Sequence, residues 1–396
     1  MAEGAWDVVA RRPPNRKDQI IAAAGEMFLA RGYHNVSVTD VADALDITPS
    51  ALYHHFRNKQ DLLFEVVWSG LEKVDAALLQ CGTLDEAIGA LSATIVRSTG
   101  LATVWEREAR HLEGTQREQI RERESQVIAH MVPLIVAGRG DLTPEAGELA
   151  ARAVFGSLGG FRRRYSLSRR DDEAIMARLG ELIGGADASM LGTPPALERH
   201  GGDDGADDMG AQISRREQLI GIGARLFDQF GFQSVTMSDI GKAAGIVASA
   251  VYRHFGAKTD LLVAAATRGR ERLRAGADRA LADAVDPSDA VERLVRSHVV
   301  VSLQNPHLIG ILANERAQLP DKERTETRRF HTDYLDVWLQ TITAAASHRE
   351  PAETRMRVAA VHSMIYFVAH SRAGSPPWPG LDDWLTRLGV AALLDR

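Results

Sequence analysis

An all-α fold built from two related halves is what this sequence predicts, and three observations carry that prediction. The segment TPSALYHHFRNKQDLL at Thr48–Leu63 returns as VASAVYRHFGAKTDLL at Val247–Leu262, an offset of 199 residues. Elsewhere apolar residues recur at i, i+3 and i+4, the period of one helix face. No segment alternates apolar and polar residues in the manner of a half-buried strand.

The repeat extends beyond one motif. Between Gly32–Leu63 and Gly231–Leu262, 14 of 32 positions are identical. Glu108, Leu112, Arg117, Arg121 and Pro144 match Glu315, Leu319, Arg324, Arg328 and Pro351 at an offset of 207, so about eight extra residues lie between the two blocks in the second half. Repetition on this scale implies a duplicated unit. Ala186–Gln212 separates the halves; it is rich in Gly, Asp and Pro and reads as a flexible acidic linker spanning roughly 25–30 Å.

Each element has a local reason. Ile20, Ile21, Ala24, Met27 and Phe28 form an apolar stripe on a helix that Gly32 stops; Leu219, Ile220, Gly223, Leu226 and Phe227 repeat it. Ser37-Val-Thr-Asp40 has capping-box spacing and opens a short helix through Leu45, as Thr236-Met-Ser-Asp239 does in the second copy. A turn follows at Asp46-Ile47, or Ala244-Gly245. Thr48-Pro49 caps a second short helix through Tyr53 to His55, and a longer helix begins near Lys59. Ile88, Leu91 and Ile95, then Leu149, Ala153, Val154 and Leu158, give further stripes, and Thr143-Pro144 and Asn305-Pro306 mark helix starts. The expected domains are a basic arm at 1–17, a first helix-turn-helix at 18–65, a first helical regulatory domain at 66–186, the linker at 187–211, a second helix-turn-helix at 212–264 and a second regulatory domain at 265–396.

Composition narrows the function. With 47 basic and 53 acidic residues the chain carries a net −6, so any nucleic-acid binding must come from local patches. Cys81 is the only cysteine, which excludes an intrachain disulfide and a cysteine-based zinc site. MAEGAWDVVARRPP has no apolar core of signal-peptide length and no run is long enough to span a membrane, so a cytoplasmic location is expected.

A helix, a short turn and a second helix on a supporting helix is the arrangement that places the second helix in the DNA major groove. TDVADALDITPSALYHHFRNKQDLL and SVTMSDIGKAAGIVASAVYRHFGAKTDLL closely resemble the helix-turn-helix of TetR-family transcriptional regulators. The chain therefore resembles a tandem, fused pair of such subunits. WEREARHL at Trp105–Leu112 and the two-copy layout look like the fused-pair repressors of actinobacterial lipid-import operons.

The resemblance implies roles for matching positions. Thr48, Pro49 and Ser50 would face base edges, while Thr39, Tyr53, His54, His55 and Lys59 would contact phosphates. In the second copy Ser249 would read bases, and Ser238, Tyr252, Arg253, His254 and Lys258 would hold the backbone. The chemistry is apt: cations, hydroxyls and helix N-termini suit phosphates, and short polar side chains suit base edges. Val247-Ala248 stands where the first copy has Thr48-Pro49, so the second head lacks one cap and one hydrogen-bonding group; it gains Arg253. Arg11, Arg12, Arg16 and Lys17, and later Arg215 and Arg216, form basic clusters ahead of each motif, as phosphate-seeking arms or as solvated termini.

Other patterns point to structure. His54 and His55 are adjacent and diverge on a helix, so they cannot share a metal. Glu108-x-x-His111 has the spacing of half a di-iron site, but no second such pair occurs and a structural pair is expected. Gly221-Ile-Gly223 lacks a third glycine, and Gly256-Ala-Lys258-Thr259 lacks the leading glycine of a phosphate loop. Phe161-Arg-Arg-Arg-Tyr165 reads as a solvated helix end, with a phosphate clamp as the sharper alternative. No metal, no cofactor and no catalytic constellation is expected.

The expectation is thus a ligand-responsive DNA-binding regulator, not an enzyme: by resemblance, a repressor of lipid or sterol transport or catabolism genes. Its partners are double-stranded operator DNA and a hydrophobic effector such as a lipid, sterol-like acid or acyl-CoA. Few convergent charges are expected around that effector, and Trp105, Phe155, Tyr334, Trp338 and Tyr366 are candidate pocket residues, each also readable as plain core. The competing reading is a helical scaffold or enzyme that has lost DNA binding. One chain would act as an intramolecular pseudo-dimer, with further homodimerisation open.

Overall fold

Ile20, Ala24 and Phe28 lie on one stripe of a helix at Arg16–Arg31 (α1), and all three are fully buried. The computed structural model of the protein describes residues 16–97, 108–137, 142–161, 167–185, 191 and 214–395. The N-terminal arm through Asn15, Trp105, the arginines of Phe161–Tyr165 and all of the linker but Leu191 lie outside the described residues.

Gly32, at φ 82°, ends α1 in a conformation that favours glycine. Gly231, at φ 79°, ends the matching helix α9 (Arg215–Phe230). The short helices α2 (Val38–Ala44) and α10 (Met237–Ala243) each open on the expected capping box, with both reciprocal hydrogen bonds present. Helix α3 (Pro49–Tyr53) is capped by Thr48, whose Oγ1 accepts from the Ala51 N–H at 3.2 Å. Val247, at the start of α11 (Ala248–Tyr252), makes no such bond. Both second helices are shorter than the expected run to His55, because the His54 and Arg253 positions already serve as C-caps.

Two long helices, α4 (Lys59–Leu78) and α12 (Lys258–Ala282), run across the expected domain boundaries at 65 and 264. Each head is therefore joined to its regulatory domain by a continuous helix. In the first half α5 (Leu84–Arg97), α6 (Gly114–Ala137), α7 (Pro144–Gly159) and α8 (Arg169–Gly184) follow. In the second half α13 (Pro287–Gln304), α14 (Pro306–Asn314), α15 (Asp321–Ala345), α16 (Pro351–Ser371) and α17 (Leu381–Leu394) complete the fold, and no strand occurs among the described residues. Thr143 caps α7 as expected. Asn305 does not cap α14: its side chain donates back to the Val301 carbonyl instead.

The halves meet along α7 and α16, flanked by α8 and α17. Val154, Leu158, Val361, Met364, Ile365 and Val368 are fully buried there. Two glycines set the approach. A Cβ on Gly160 would lie 2.6 Å from the Ala359 carbonyl oxygen and 2.7 Å from the Ala360 Cα. A Cβ on Gly156 would lie 2.7 Å from Cβ of Phe367 and 3.0 Å from the Met364 Cα. The helix backbones are in contact, and the core that results is shared by both halves. The second head keeps a separate core of its own around Leu219, Phe227, Ile240, Val251, Phe255 and Leu262.

Candidate nucleic-acid interface

Burying one face of each short helix leaves the opposite face in water. Leu52 and Phe56 turn inward, so Thr48, Ser50, Tyr53, His54 and His55 are exposed, with Thr39 exposed on α2. Val251 and Phe255 do the same in the second copy, leaving Ser249, Tyr252, Arg253 and His254 exposed, with Ser238 on α10. Tyr53 and Tyr252 are each 52% exposed, which is unusual for so large a ring and identical in the two copies. Pro49 is half-buried at the first turn of α3.

The two lysines are half-buried and have partners within their own heads. Lys59 Nζ sits 4.1 Å from the centroid of the Tyr33 ring, and partial burial lowers its pKa. Lys258 Nζ donates to the Phe232 and Val235 carbonyls at 2.7 Å each and stands 4.3 Å from the Phe232 ring centroid. An ammonium has three protons, and these partners occupy them. Both lysines fasten the turn after the first helix to the start of the long one. Basic side chains remain at the mouth of each head: Lys17 pairs with Glu65 at 3.0 Å, and the Arg216 guanidinium lies 4.7 Å from the Phe255 ring centroid.

Each head is also tied from behind. The buried Glu108 accepts from the Tyr33 N–H at 3.0 Å, and the buried Glu315 accepts from the Phe232 N–H at 3.1 Å. His111 stands 3.6 Å from Glu108, and its ring stacks on Tyr33, so the Glu108-x-x-His111 spacing serves structure. Burial pushes the His111 pKa down to about 2, with the Arg110 charge adding to the effect.

A one-sided seam joins the first regulatory domain to the second half. Arg110 of the first half pairs with Glu315 of the second at 2.7 Å. Arg117 donates to the Gln229 carbonyl at 2.5 Å and lies 4.9 Å from the Phe230 ring centroid. Ala317 stands where symmetry would repeat Arg110, so the seam is not duplicated.

The candidate effector residues separate. Phe155 is buried in the shared core. Trp338 and Tyr334 are buried in the second regulatory domain beside His298 and His362. His298 lies 3.1 Å from the Tyr334 hydroxyl, and burial lowers its pKa to about 4. Tyr366 lines a cleft of about 480 Å³ between the halves. Arg110, Arg117, Arg121 and Arg152 share that wall with Ile120 and Phe367. The expectation of few convergent charges is corrected here: Arg117 and Arg121 are i,i+4 neighbours on α6, Arg110 lies in the turn just before it, and folding adds Arg152 from α7.

Comparison with known proteins agrees with the geometry. The family model for bacterial regulatory proteins of the tetR family matches residues 20–66 and again 219–265. The transcriptional repressor KstR2 of Rhodococcus jostii is 30% identical over 149 residues, covering 35% of this chain and 69% of that protein. The repressor BepR of Brucella suis is 25% identical over 166 residues, covering 38% of this chain and 79% of BepR. A crystal structure of a tetR-family regulatory protein from Rhodococcus RHA1 is 28% identical, covering 44% of this chain and 100% of that one, at a TM-score of 0.39. A shorter match, to KstR2 of Mycolicibacterium smegmatis, is 38% identical over 56 residues and spans 27% of that relative. With the family's DNA-binding unit matched at both of the places where the structure presents an exposed recognition helix, the chain belongs to the tetR family of bacterial regulatory proteins and carries that unit twice.

Proposed function

We propose that this protein is a cytoplasmic transcriptional repressor of lipid or sterol transport or catabolism genes that binds an operator as one chain and releases it on binding an amphipathic effector. The observation that carries the reading is the pairing of α7 with α16, which gives one chain two exposed heads in the manner of a dimer. Operator symmetry follows protein symmetry, and these heads are unlike: Thr48-Pro49-Ser50 and His54 against Val247-Ala248-Ser249 and Arg253. They suit a non-palindromic site, the first head supplying base discrimination and the second backbone affinity. Thr39, Tyr53, His55, Ser238, Tyr252 and His254 hold phosphates in this reading.

The cleft supports the effector class. Ile120, Tyr366 and Phe367 favour an apolar body and the four arginines an anionic head, as in an acyl-CoA or a sterol-like acid. A gel shift with the DNA upstream of the protein's own gene, over a salt series, tests the function. Affinity should fall steeply with salt, because phosphate contacts release counterions. A flat salt dependence would favour the scaffold reading. Acyl-CoAs or sterol-like acids should weaken the complex, and sugars and amino acids should not.

A further inference from the structure

Asp228 on α9 is a buried carboxylate with an unusual environment. Its Oδ2 lies 2.9 Å from Nδ1 of His307 on α14 and 3.4 Å from Nδ1 of His370 on α16. Its Oδ1 is buried without a hydrogen-bond partner, and so is His370 Nδ1. Gly310 makes the room for this: a Cβ there would lie 2.0 Å from Asp228 Oδ1. The three residues each offer a ligand atom, and these atoms lie within 4.8 Å of one another. Tyr366 stacks on the His370 ring at 5.3 Å and fixes its plane.

A plain Asp–His hydrogen bond accounts for His307 alone. It leaves one carboxylate oxygen and one imidazole nitrogen buried and unpaired, which native proteins avoid. A metal ion held by Asp228 Oδ2 and the two Nδ1 atoms gives the unpaired His370 nitrogen a partner and offsets the buried carboxylate charge. Around a four-coordinate ion with bonds near 2.0–2.1 Å, neighbouring ligand atoms stand roughly 3.3 Å apart. The observed 2.9 and 3.4 Å bracket that spacing. Two imidazoles and one carboxylate suit a zinc-class cation, whereas calcium and magnesium require more oxygen ligands.

We propose that Asp228, His307 and His370 bind one divalent transition-metal ion of the zinc class. All three residues line the cleft between the halves, so the fourth coordination position faces it. Arg110, Arg117 and Arg152 stand on the same wall, and an anionic fourth donor such as hydroxide or a carboxylate fits beside them. The ion ties the first helix of the second head to α14 and to the pairing helix α16. It fixes that head against the regulatory core. The site belongs to the second half only, because Leu29 occupies the position of Asp228 in the first.

The test uses the full chain, stripped with a chelator and dialysed. Titration with Co(II) should give saturable visible absorption of a low-symmetry four-coordinate ion at one equivalent per chain, displaced by Zn(II). His370→Ala, His307→Gln and Asp228→Asn should each weaken binding at least about tenfold. His348→Ala, at an exposed histidine elsewhere, should change nothing. Zn(II) should raise the melting temperature of the wild type and of His348→Ala but not of the three site variants. Circular dichroism identifies any variant that fails to fold, and the near-isosteric Asp228→Asn then decides. No saturable binding by the folded wild type, or unchanged affinity in the folded site variants, overturns the proposal. These readouts involve no DNA, so they stand apart from any test of repression.

Discussion

Glu315 accepts a hydrogen bond from the main-chain N–H of Phe232, 83 residues earlier, at 3.1 Å. The same carboxylate oxygen pairs with Arg110 of the other half at 2.7 Å. One side chain of the second regulatory domain thus holds the turn that begins the second reading unit and a cation of the first half. Glu108 makes the matching bond to Tyr33. Glu315→Ala should leave Arg110 and a buried N–H without this partner and cost about 3 kcal/mol of stability, read as a lower urea midpoint. Glu108→Ala should cost about 1–3 kcal/mol, since what it frees is a neutral donor. Equal and negligible effects would show that these contacts do not hold the heads.

The heads differ in a cap. Thr48 closes the first turn of α3, and Val247, 69% exposed, makes no side-chain bond at the same place. Val247→Thr should stabilise the protein by about 0.5–1 kcal/mol, and Thr48→Ala should destabilise it by a similar amount. Chemical denaturation measures both. A loss from Val247→Thr would mean that the valine has a packing role its exposure does not reveal.

Buried histidines set a pH limit. Burial holds His298 at about 4 and His111 at about 2, against 6.5 for the free side chain. Both are depressed, so the unfolded chain binds more protons below pH 6.5 and stability decreases as the pH is lowered. The contribution is complete above 6.5 and is lost through 4 for His298 and towards 2 for His111. Each should remove about 2 kcal/mol between pH 7 and pH 5. His298→Gln should flatten that part of the profile in denaturation measured over this range. An unchanged slope would show that His298 is hydrated in solution.

Division of labour between the heads is testable on DNA. Ser50→Ala should relax sequence preference at one position by about 1–3 kcal/mol. Arg253→Ala should weaken binding to all sequences alike and lower the salt slope by about one. Binding-site selection with each variant measures both effects. A change of base preference in Arg253→Ala would reverse the assignment.

The heads were legible because their signals are local. A capping box, a Thr-Pro start and a stripe of Ile20, Ala24 and Phe28 each fall within a few turns of chain. The cleft and its arginines were not legible. Arg152 and Arg117 belong to different helices, and nothing in either helix marks them as neighbours. Asp228 and His307 are 79 residues apart and form no spaced motif. The intramolecular partners of the two lysines, the Tyr33 ring for Lys59 and the Phe232 and Val235 carbonyls for Lys258, were not legible either, because a preceding turn supplies them.

The central claim is that one chain is the DNA-binding unit, its halves paired through α7 and α16. Gly160 tests the pairing, because any side chain there meets the Ala359 and Ala360 backbone; Gly160→Val should separate the heads and abolish high-affinity binding. The most direct measurement is the molar mass of the wild-type complex on a minimal operator, by light scattering. The account predicts one 396-residue chain per site. Two chains per minimal site would contradict it.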